Sequence, residues 1–358
     1  MTREELFAEP QYSLRQGEKE AALLPLINQL SALHRERSSA YARLMNAIDP
    51  SQDDAPSLDQ APYFPVSLFK THRMLSIPDD QIFKTLTSSG TTGQQVSRIF
   101  LDAETARRQT IALSKIMTHV LGGERLPMLI IDTSALIRDR AQFSARGAGV
   151  LGLMNFGRQH AYALNPEMDL DETAMRKFLE RFGGAPFLMF GFTFMVWKYF
   201  FERLHGRGVD LSNGILIHSG GWKKLQDQAV GNAEFKARFR EETGLTRIYN
   251  FYGMVEQVGS VYLEGEDGLL YAPNFADVII RDPKTWEVAP VGQPGVIQVL
   301  SALPSSYPGH SLLTEDLGVI HSIDAGVGGR FGKAFSVIGR APKSEIRGCS
   351  DTHLERVA

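Results

Sequence analysis

Cysteine is nearly missing from this chain of 358 residues. The single one, Cys349, excludes an intramolecular disulfide framework and a Cys-rich metal site, which fits a reducing cytoplasm. No Lys/Arg stripe dominates any segment, and the formal net charge is -3, so nucleic acid is not an expected partner. The nine histidines form no HxxxH or HxH pair suited to zinc. Only His218 and His353 are worth following, and His218 reads as structural. The opening MTREELFAEP has neither the basic start nor the apolar run of a secretion signal, so a cytoplasmic protein is expected. The most apolar run, Ala185 to Phe201 (APFLMFGFTFMVWKYFF), is barely of spanning length, carries Gly191 and Lys198 and follows a Gly-Gly turn. It reads as a buried strand entering a buried helix, not as a membrane span. Internal repeats and low-complexity tracts are absent as well.

With 43% hydrophobic residues the chain has enough apolar surface for a large core, and its length suggests two or three lobes. From Glu18 to Ala47 an apolar stripe of Leu23, Leu26, Ile27, Leu30, Leu33, Tyr41 and Leu44 has helical spacing, with Pro25 marking a first turn. Asp49 to Ser57 (DPSQDDAPS) clusters Pro, Ser and Asp without an apolar period and reads as a linker. From Phe83 onward, β-rich runs such as LPMLIID, PFLMFGF, NGILIHSGG and RIYNFYG alternate with helical stretches. That alternation predicts an α/β fold with a mostly parallel, helix-covered sheet. Beyond Glu256 the runs GSVYLE, LLYAPN, ADVIIRD, GVIQVLS and AFSVIGR come at hairpin-like spacing, which predicts a smaller antiparallel β-subdomain. The expected division is a helical region and linker over 1–60, an α/β core over 61–258, the β-subdomain over 259–336, and a hinge-like tail over 337–358.

The stretch TLTSSGTTGQQVSR, Thr85 to Arg98, lies between two strand-like segments. Its glycines let backbone N–H groups approach an anion closely, and its hydroxyls are donors for phosphate oxygens. It is neither a Walker loop nor a dinucleotide fingerprint, and a loop of this composition standing alone is also an ordinary turn. Three further stretches follow in order: HSGGWKK (His218 to Lys224), NFYGMVEQ (Asn250 to Gln257) and LLTEDLG (Leu312 to Gly318), the last placing Asp316 at a strand-to-turn junction. VIGRAPKSEIRGCSD (Val337 to Asp351) closes the series.

The order SSGTTG, GG, YGxxE, TxDLG and GR resembles the adenylate-forming superfamily. Within it, YFPVSLFK, IFKTLTSSGTTGQ, FSARGAG, FGFTF and IRGCSD are similar to the LuxE-type acyl-protein synthetases of bacterial fatty-acid reductases, from about Tyr63 to the end. The resemblance implies an adenylate-forming N-terminal core that uses ATP and Mg²⁺ to convert a carboxylic acid to acyl-AMP. By position it implies that Ser88, Ser89, Gly90, Thr91, Thr92 and Gly93 wrap the phosphates and that Gly220, Gly221 and Tyr252, followed by Gly253, face the adenine. Glu256 would hold Mg²⁺, Asp316 the ribose hydroxyls, and Arg340 would sit near the ribose and α-phosphate. Taken singly, Tyr252 is equally a core aromatic, Glu256 a surface charge and Asp316 a turn-former. There are departures: Gln95 and Val96 stand where the superfamily has Pro-Lys, so a cation must come from Arg98 or elsewhere. Val255 replaces a usual threonine, and no lid domain with its adenylation lysine is expected beyond the GR hinge, leaving Arg340 and Lys343 as candidate substitutes.

Cys349 has Lys343, Arg347 and His353 near it in sequence, and cations lower a thiol pKa from its ordinary value of about 8.5. An acyl-adenylate is a mixed anhydride that a thiolate attacks readily. The resemblance implies the same: a cysteine near the C-terminus takes the acyl group and passes it to an acyl-CoA-reductase-like partner that makes the aldehyde. A merely incidental cysteine is the alternative. Phe192, Phe194, Trp197, Trp222, Phe251 and Met254 are the large apolar residues expected to line an acid pocket, and their number leans toward an aryl rather than a fatty acid. Core packing is the competing assignment for half of them. Two other functions stay open: a ligase using free coenzyme A, and a nucleotide-binding subunit without catalysis.

Overall fold

The computed structural model describes residues 1–51, 53–88, 95–137, 145–222 and 229–341. It begins with α1 (Arg3–Ala8), whose Thr2 hydroxyl accepts the Glu5 N–H at 3.2 Å while the Glu5 carboxylate accepts the Thr2 N–H at 2.8 Å. That reciprocal pair fixes the helix start. The single helical stretch predicted next is two helices, α2 (Gln16–Arg37) and α3 (Ser39–Ile48), divided at Ser38, whose extended backbone lets its hydroxyl cap α3 by accepting the Tyr41 N–H at 3.4 Å. Pro25 lies inside α2, not in its first turn. It is tolerated there because it and Ala21, whose carbonyl loses its donor, both lie on the exposed side.

β1 (Phe64–Pro65), α4 (Leu68–Thr71), β2 (Lys84–Thr87), β3 (Arg98–Leu101) and α5 (Ala103–Leu121) follow. Then come β4 (Leu126–Thr133), α6 (Ala145–Met154), β5 (Gly157–Leu164), α7 (Glu172–Phe182) and β6 (Phe187–Phe192). β6 runs directly into α8 (Thr193–Met195), a π-helical stretch (Val196–Phe201) and α9 (Glu202–Leu204). β7 (Gly214–Ser219), α10 (Asn232–Thr243) and β8 (Arg247–Tyr252) complete the alternating region. The remaining strands are β9 (Tyr262–Glu264), β10 (Leu270–Tyr271), β11 (Ala276–Arg281), β12 (Gly295–Ser301), β13 (Ser311–Ile323) and β14 (Lys333–Arg340).

The described residues form two compact units, one of 120–251 and one of 1–88, 95–119 and 252–341. In the first of these, β8, β7, β6, β4 and β5 lie in that order and every pair is parallel. β6 and β7 are buried at every position, which is why β6 is apolar throughout and β7 opens on an apolar run before the buried polar pair His218 and Ser219. The core under them joins Leu129, Met189, Leu216 and Ile248 to the aromatic residues of the helices, among them Trp197, Phe200, Phe235 and Phe239. α7 is capped by Asp171, whose carboxylate accepts the Ala174 N–H at 2.9 Å. Asp171→Ala is expected to cost about 1 kcal/mol and to lower the melting midpoint by roughly 2 °C in scanning calorimetry; an unchanged midpoint would deny the cap any role.

The other unit is built on an antiparallel sheet in the order β11, β12, β13, β14, β10, β9, with β1 added parallel to β13 and β2–β3 as a separate antiparallel ribbon. β13 is the longest strand of this unit. Asp316, predicted at a strand-to-turn junction, instead sits inside β13, opposite Arg340 of β14, just before a register shift at Leu317/Gly318. The half-exposed Glu315 and Asp316 interrupt the apolar pattern that a continuous strand would have shown. Among the described residues no helix is long and apolar enough to cross a membrane.

Candidate active site

The sheet pairing that faces Asp316 with Arg340 also gathers their neighbours. The Tyr252 hydroxyl, at the end of β8, donates to Asp316 Oδ2 at 2.7 Å. Arg340 Nε lies 3.7 Å from Asp316 Oδ1, and Arg340 Nη1 donates to Glu315 Oε2 at 3.3 Å. Glu315 in turn accepts from Lys70 Nζ at 3.1 Å. Charges therefore alternate along Lys70, Glu315, Arg340 and Asp316, with a phenol at the end. Burial raises the Asp316 carboxyl above its ordinary range, an effect that Tyr252 and Arg340 oppose and Glu315 reinforces. Burial and then the Asp316 carboxylate hold the Tyr252 phenol well above its usual value, so the phenol keeps its proton for donation.

Glu256 follows in a short turn, Val255–Gln257, and is only 8% exposed. Burial pushes its carboxyl above the usual range; Ser97 and the Lys70 cation pull the other way. The Ser97 hydroxyl itself is buried and makes no hydrogen bond of ordinary geometry. Ser97 also closes the neck of the Gly/Thr loop, since its N–H donates to Ser88 Oγ at 2.9 Å and the Ser88 N–H donates to the Ser97 carbonyl at 3.1 Å. The neck continues the β2–β3 ribbon beyond the Thr87 and Arg98 pair, so Glu256 and the base of the loop share one environment. Arg98, Gln95 and Gly253 are exposed, and Val96, Met254 and Val255 are half-buried. Ser89, Gly90, Thr91, Thr92, Gly93 and Cys349 lie outside the described residues, as do Lys343, Arg347 and His353.

In the parallel unit, Phe192 ends β6 and Gly220 follows β7. Gly220 has φ +88°, a conformation that side chains other than glycine rarely adopt, and a Cβ there would lie 3.5 Å from the Phe192 ring. Gly221 has open space where a side chain would go. The Phe192 ring also reaches Gly149 of α6, where a Cβ would meet it at 3.2 Å. These contacts gather at the carboxyl ends of the strands, where open α/β sheets bind ligands. The remaining aromatics are largely occupied with one another. Trp197 stacks on Phe201 at 4.7 Å and lies edge-on to Trp222 at 5.7 Å, while Phe194 is buried against Tyr199 at 5.9 Å. Phe251 is half-buried. His218 is structural in its contacts: it shares a 2.9 Å hydrogen bond with Thr193 and stacks on Phe235 at 4.7 Å, and burial followed by Lys236 pushes its pKa down to about 3.

Residues 26–358 match the acyl-protein synthetase family LuxE. The chain belongs to that family. The long-chain-fatty-acid–luciferin-component ligase of Vibrio harveyi is 25% identical over 302 residues, covering 82% of this chain and 77% of that protein. The ligase of the same name from Aliivibrio fischeri is 23% identical over 283 residues, covering 76% and 72%. Among solved structures, an open conformation of 2-hydroxyisobutyryl-CoA ligase in complex with 2-HIB-AMP and CoA superposes with a TM-score of 0.69 at 17% identity, over 94% of this chain and 78% of that one. The expected α/β adenylate-forming fold is therefore the fold observed, and the chain is a LuxE-type ligase.

Among the described residues of this LuxE-type chain, no group of three or more His, Cys, Asp or Glu side chains is arranged to hold a metal ion. A single buried carboxylate, Glu256, suits a magnesium ion that keeps most of its ligands from nucleotide phosphates and water, and does not suit a resident ion. Sequence reasoning assigned no role to Lys70, Glu315 or Ser97. Lys70 ends the quoted YFPVSLFK and Glu315 adjoins Asp316, but nothing in either stretch reveals that they meet across 245 positions of sequence.

Proposed function

We propose that this LuxE-type enzyme activates a long-chain fatty acid with ATP and then carries the acyl group on Cys349 to a reductase partner in the cytoplasm. The observation that carries the reading is the joined set Tyr252, Asp316 and Arg340, in the same unit as Glu256 and the neck of the Gly/Thr loop, in a member of the acyl-protein synthetase family. In this reading Ser88 to Gly93 hold the β- and γ-phosphates, Tyr252 borders the adenine, and Asp316 takes the ribose hydroxyls. Arg340 stands by the α-phosphate. A carboxylate oxygen of the acid attacks the α-phosphorus, the bond to the bridging oxygen breaks, and pyrophosphate leaves with that electron pair. The Cys349 thiolate, its proton already lost to solvent, then attacks the acyl carbon, and AMP departs as a thioester forms. Glu256 would hold magnesium, which neutralises phosphate charge when bound. The rest of the catalysis is positioning.

Two findings favour a fatty over an aryl acid. The relatives from Vibrio harveyi and Aliivibrio fischeri are named for long-chain fatty acids. The aromatics that suggested a flat substrate are in large part consumed by packing on each other, with Trp197 against Phe201 and Phe235. Incubation with MgATP and labelled tetradecanoate is expected to label the protein, with unlabelled fatty acids competing and benzoate not competing. Competition by aryl acids alone would return the substrate to the aryl class. Tyr252→Phe removes the hydroxyl that holds Asp316 and is expected to weaken AMP binding about tenfold by titration calorimetry; unchanged affinity would deny that hydroxyl a part in positioning Asp316 for the nucleotide.

A further inference from the structure

Lys70 has no part in the reading above, yet its ammonium begins the alternating chain of charges. β1 runs parallel to β13 along Leu312 and Leu313, and β12 holds the opposite edge of those residues. β1 therefore occupies the edge of β13 that β14 takes over from Asp316 onward. The Val66 N–H continues the pairing by donating to the Leu313 carbonyl at 2.8 Å, and α4 starts two residues later. Phe69 anchors that single helical turn, buried with ring centroids 5.7 Å from Phe64 and 6.1 Å from Tyr307. Held this way, Lys70 presents its ammonium to Glu315 with its side chain only 16% exposed and that of Glu315 25% exposed. Glu315 is doubly fixed, because its carbonyl also accepts the Ala341 N–H at 2.9 Å.

We infer that Lys70 is a positioning residue for the adenylation site: by holding Glu315 it keeps the Arg340 guanidinium in place between Glu315 and Asp316, beside the bound nucleotide. Two carboxylates flank Arg340, at 3.3 Å and 3.7 Å. With the Lys70 charge in place, Glu315 is already compensated from its other oxygen. Without it, Glu315 competes for Arg340 and draws the guanidinium away from Asp316. In so sheltered a setting this competition exceeds that of an exposed surface pair. The inference rests on the proposed role of Arg340 beside the nucleotide.

The test uses the full-length protein and the variants Lys70→Met, Lys70→Arg and Lys70→Met with Glu315→Gln. AMP affinity is read by calorimetry, the KM for ATP and kcat by pyrophosphate exchange, and folding by the melting midpoint. Lys70→Met is expected to weaken AMP binding and raise the KM for ATP about tenfold, the size of one charge-assisted contact, with the midpoint almost unmoved. Lys70→Arg recovers most of the loss. The double variant is the decisive arm, because removing the competing Glu315 charge should return AMP affinity to within about threefold of wild type, which a purely structural role for Lys70 would not do. Wild-type affinity in Lys70→Met, or a double variant no better than the single, overturns the inference while leaving the proposed function intact. A wild-type protein that neither binds AMP nor exchanges with any acid overturns both.

Discussion

Cys349→Ser is expected to abolish hydroxylamine-sensitive acyl labelling of the protein while acid-dependent exchange of pyrophosphate into ATP continues near the wild-type rate. The split follows from the order of the chemistry. Exchange reports only attack of the carboxylate on the α-phosphorus and its reversal, in which the thiol takes no part. Labelling requires a nucleophile for the acyl carbon, and at neutral pH a serine hydroxyl lacks the anionic fraction that a thiol of ordinary pKa about 8.5 supplies. Any residual ester on Ser would resist neutral hydroxylamine, which separates it from a thioester. Full labelling in the variant would assign the acyl group to another residue, and acyl-CoA formation with free coenzyme A at an undiminished rate would favour a soluble thiol as acceptor.

Glu256→Gln should lower exchange by about 10²- to 10³-fold, the usual loss when one preorganised electrostatic partner of a reacting phosphate is removed. The same substitution should hold or raise the melting midpoint of the nucleotide-free protein at pH 7. Glu256 is buried and its carboxyl lies above the usual range, chiefly through desolvation. A carboxyl raised in this sense favours folding fully only below its unfolded pKa, and loses that contribution as pH climbs through the folded value. At pH 7 the ionised form therefore weighs against the folded state, and an amide of the same shape removes the burden. Lost exchange with a retained or raised midpoint marks a group kept for function at a cost in stability. Lost exchange with a much lower midpoint would make Glu256 a structural residue.

The parts of this molecule that could be read from its sequence are those in which one local pattern has one physical cause. PFLMFGF and the GILI of NGILIHS are apolar runs because β6 and β7 are covered on both faces, as strands inside a parallel sheet are. Tyr252 and Asp316 were both singled out by motif, and they are hydrogen-bonded at 2.7 Å. Elsewhere the pattern was diluted. β5 mixes Arg158, Gln159 and His160 into its exposed first half at the sheet edge, so it shows no apolar run. β13 carries Glu315 and Asp316 in its middle because two cations from other elements compensate them, and compensation at a distance leaves no local mark. Lys70 was invisible for the same reason. Its partner is set by the pairing of β1 with β13, a contact between segments far apart in the chain.

Acid-dependent exchange of labelled pyrophosphate into ATP, with Mg²⁺ and a series of fatty acids of increasing length beside benzoate, tests the central claim most directly. Exchange that requires an acid, is strongest with long-chain members and falls away in Glu256→Gln is the predicted result. Nucleotide binding without exchange for any acid would contradict the claim and leave a LuxE-type fold that holds nucleotide but activates nothing.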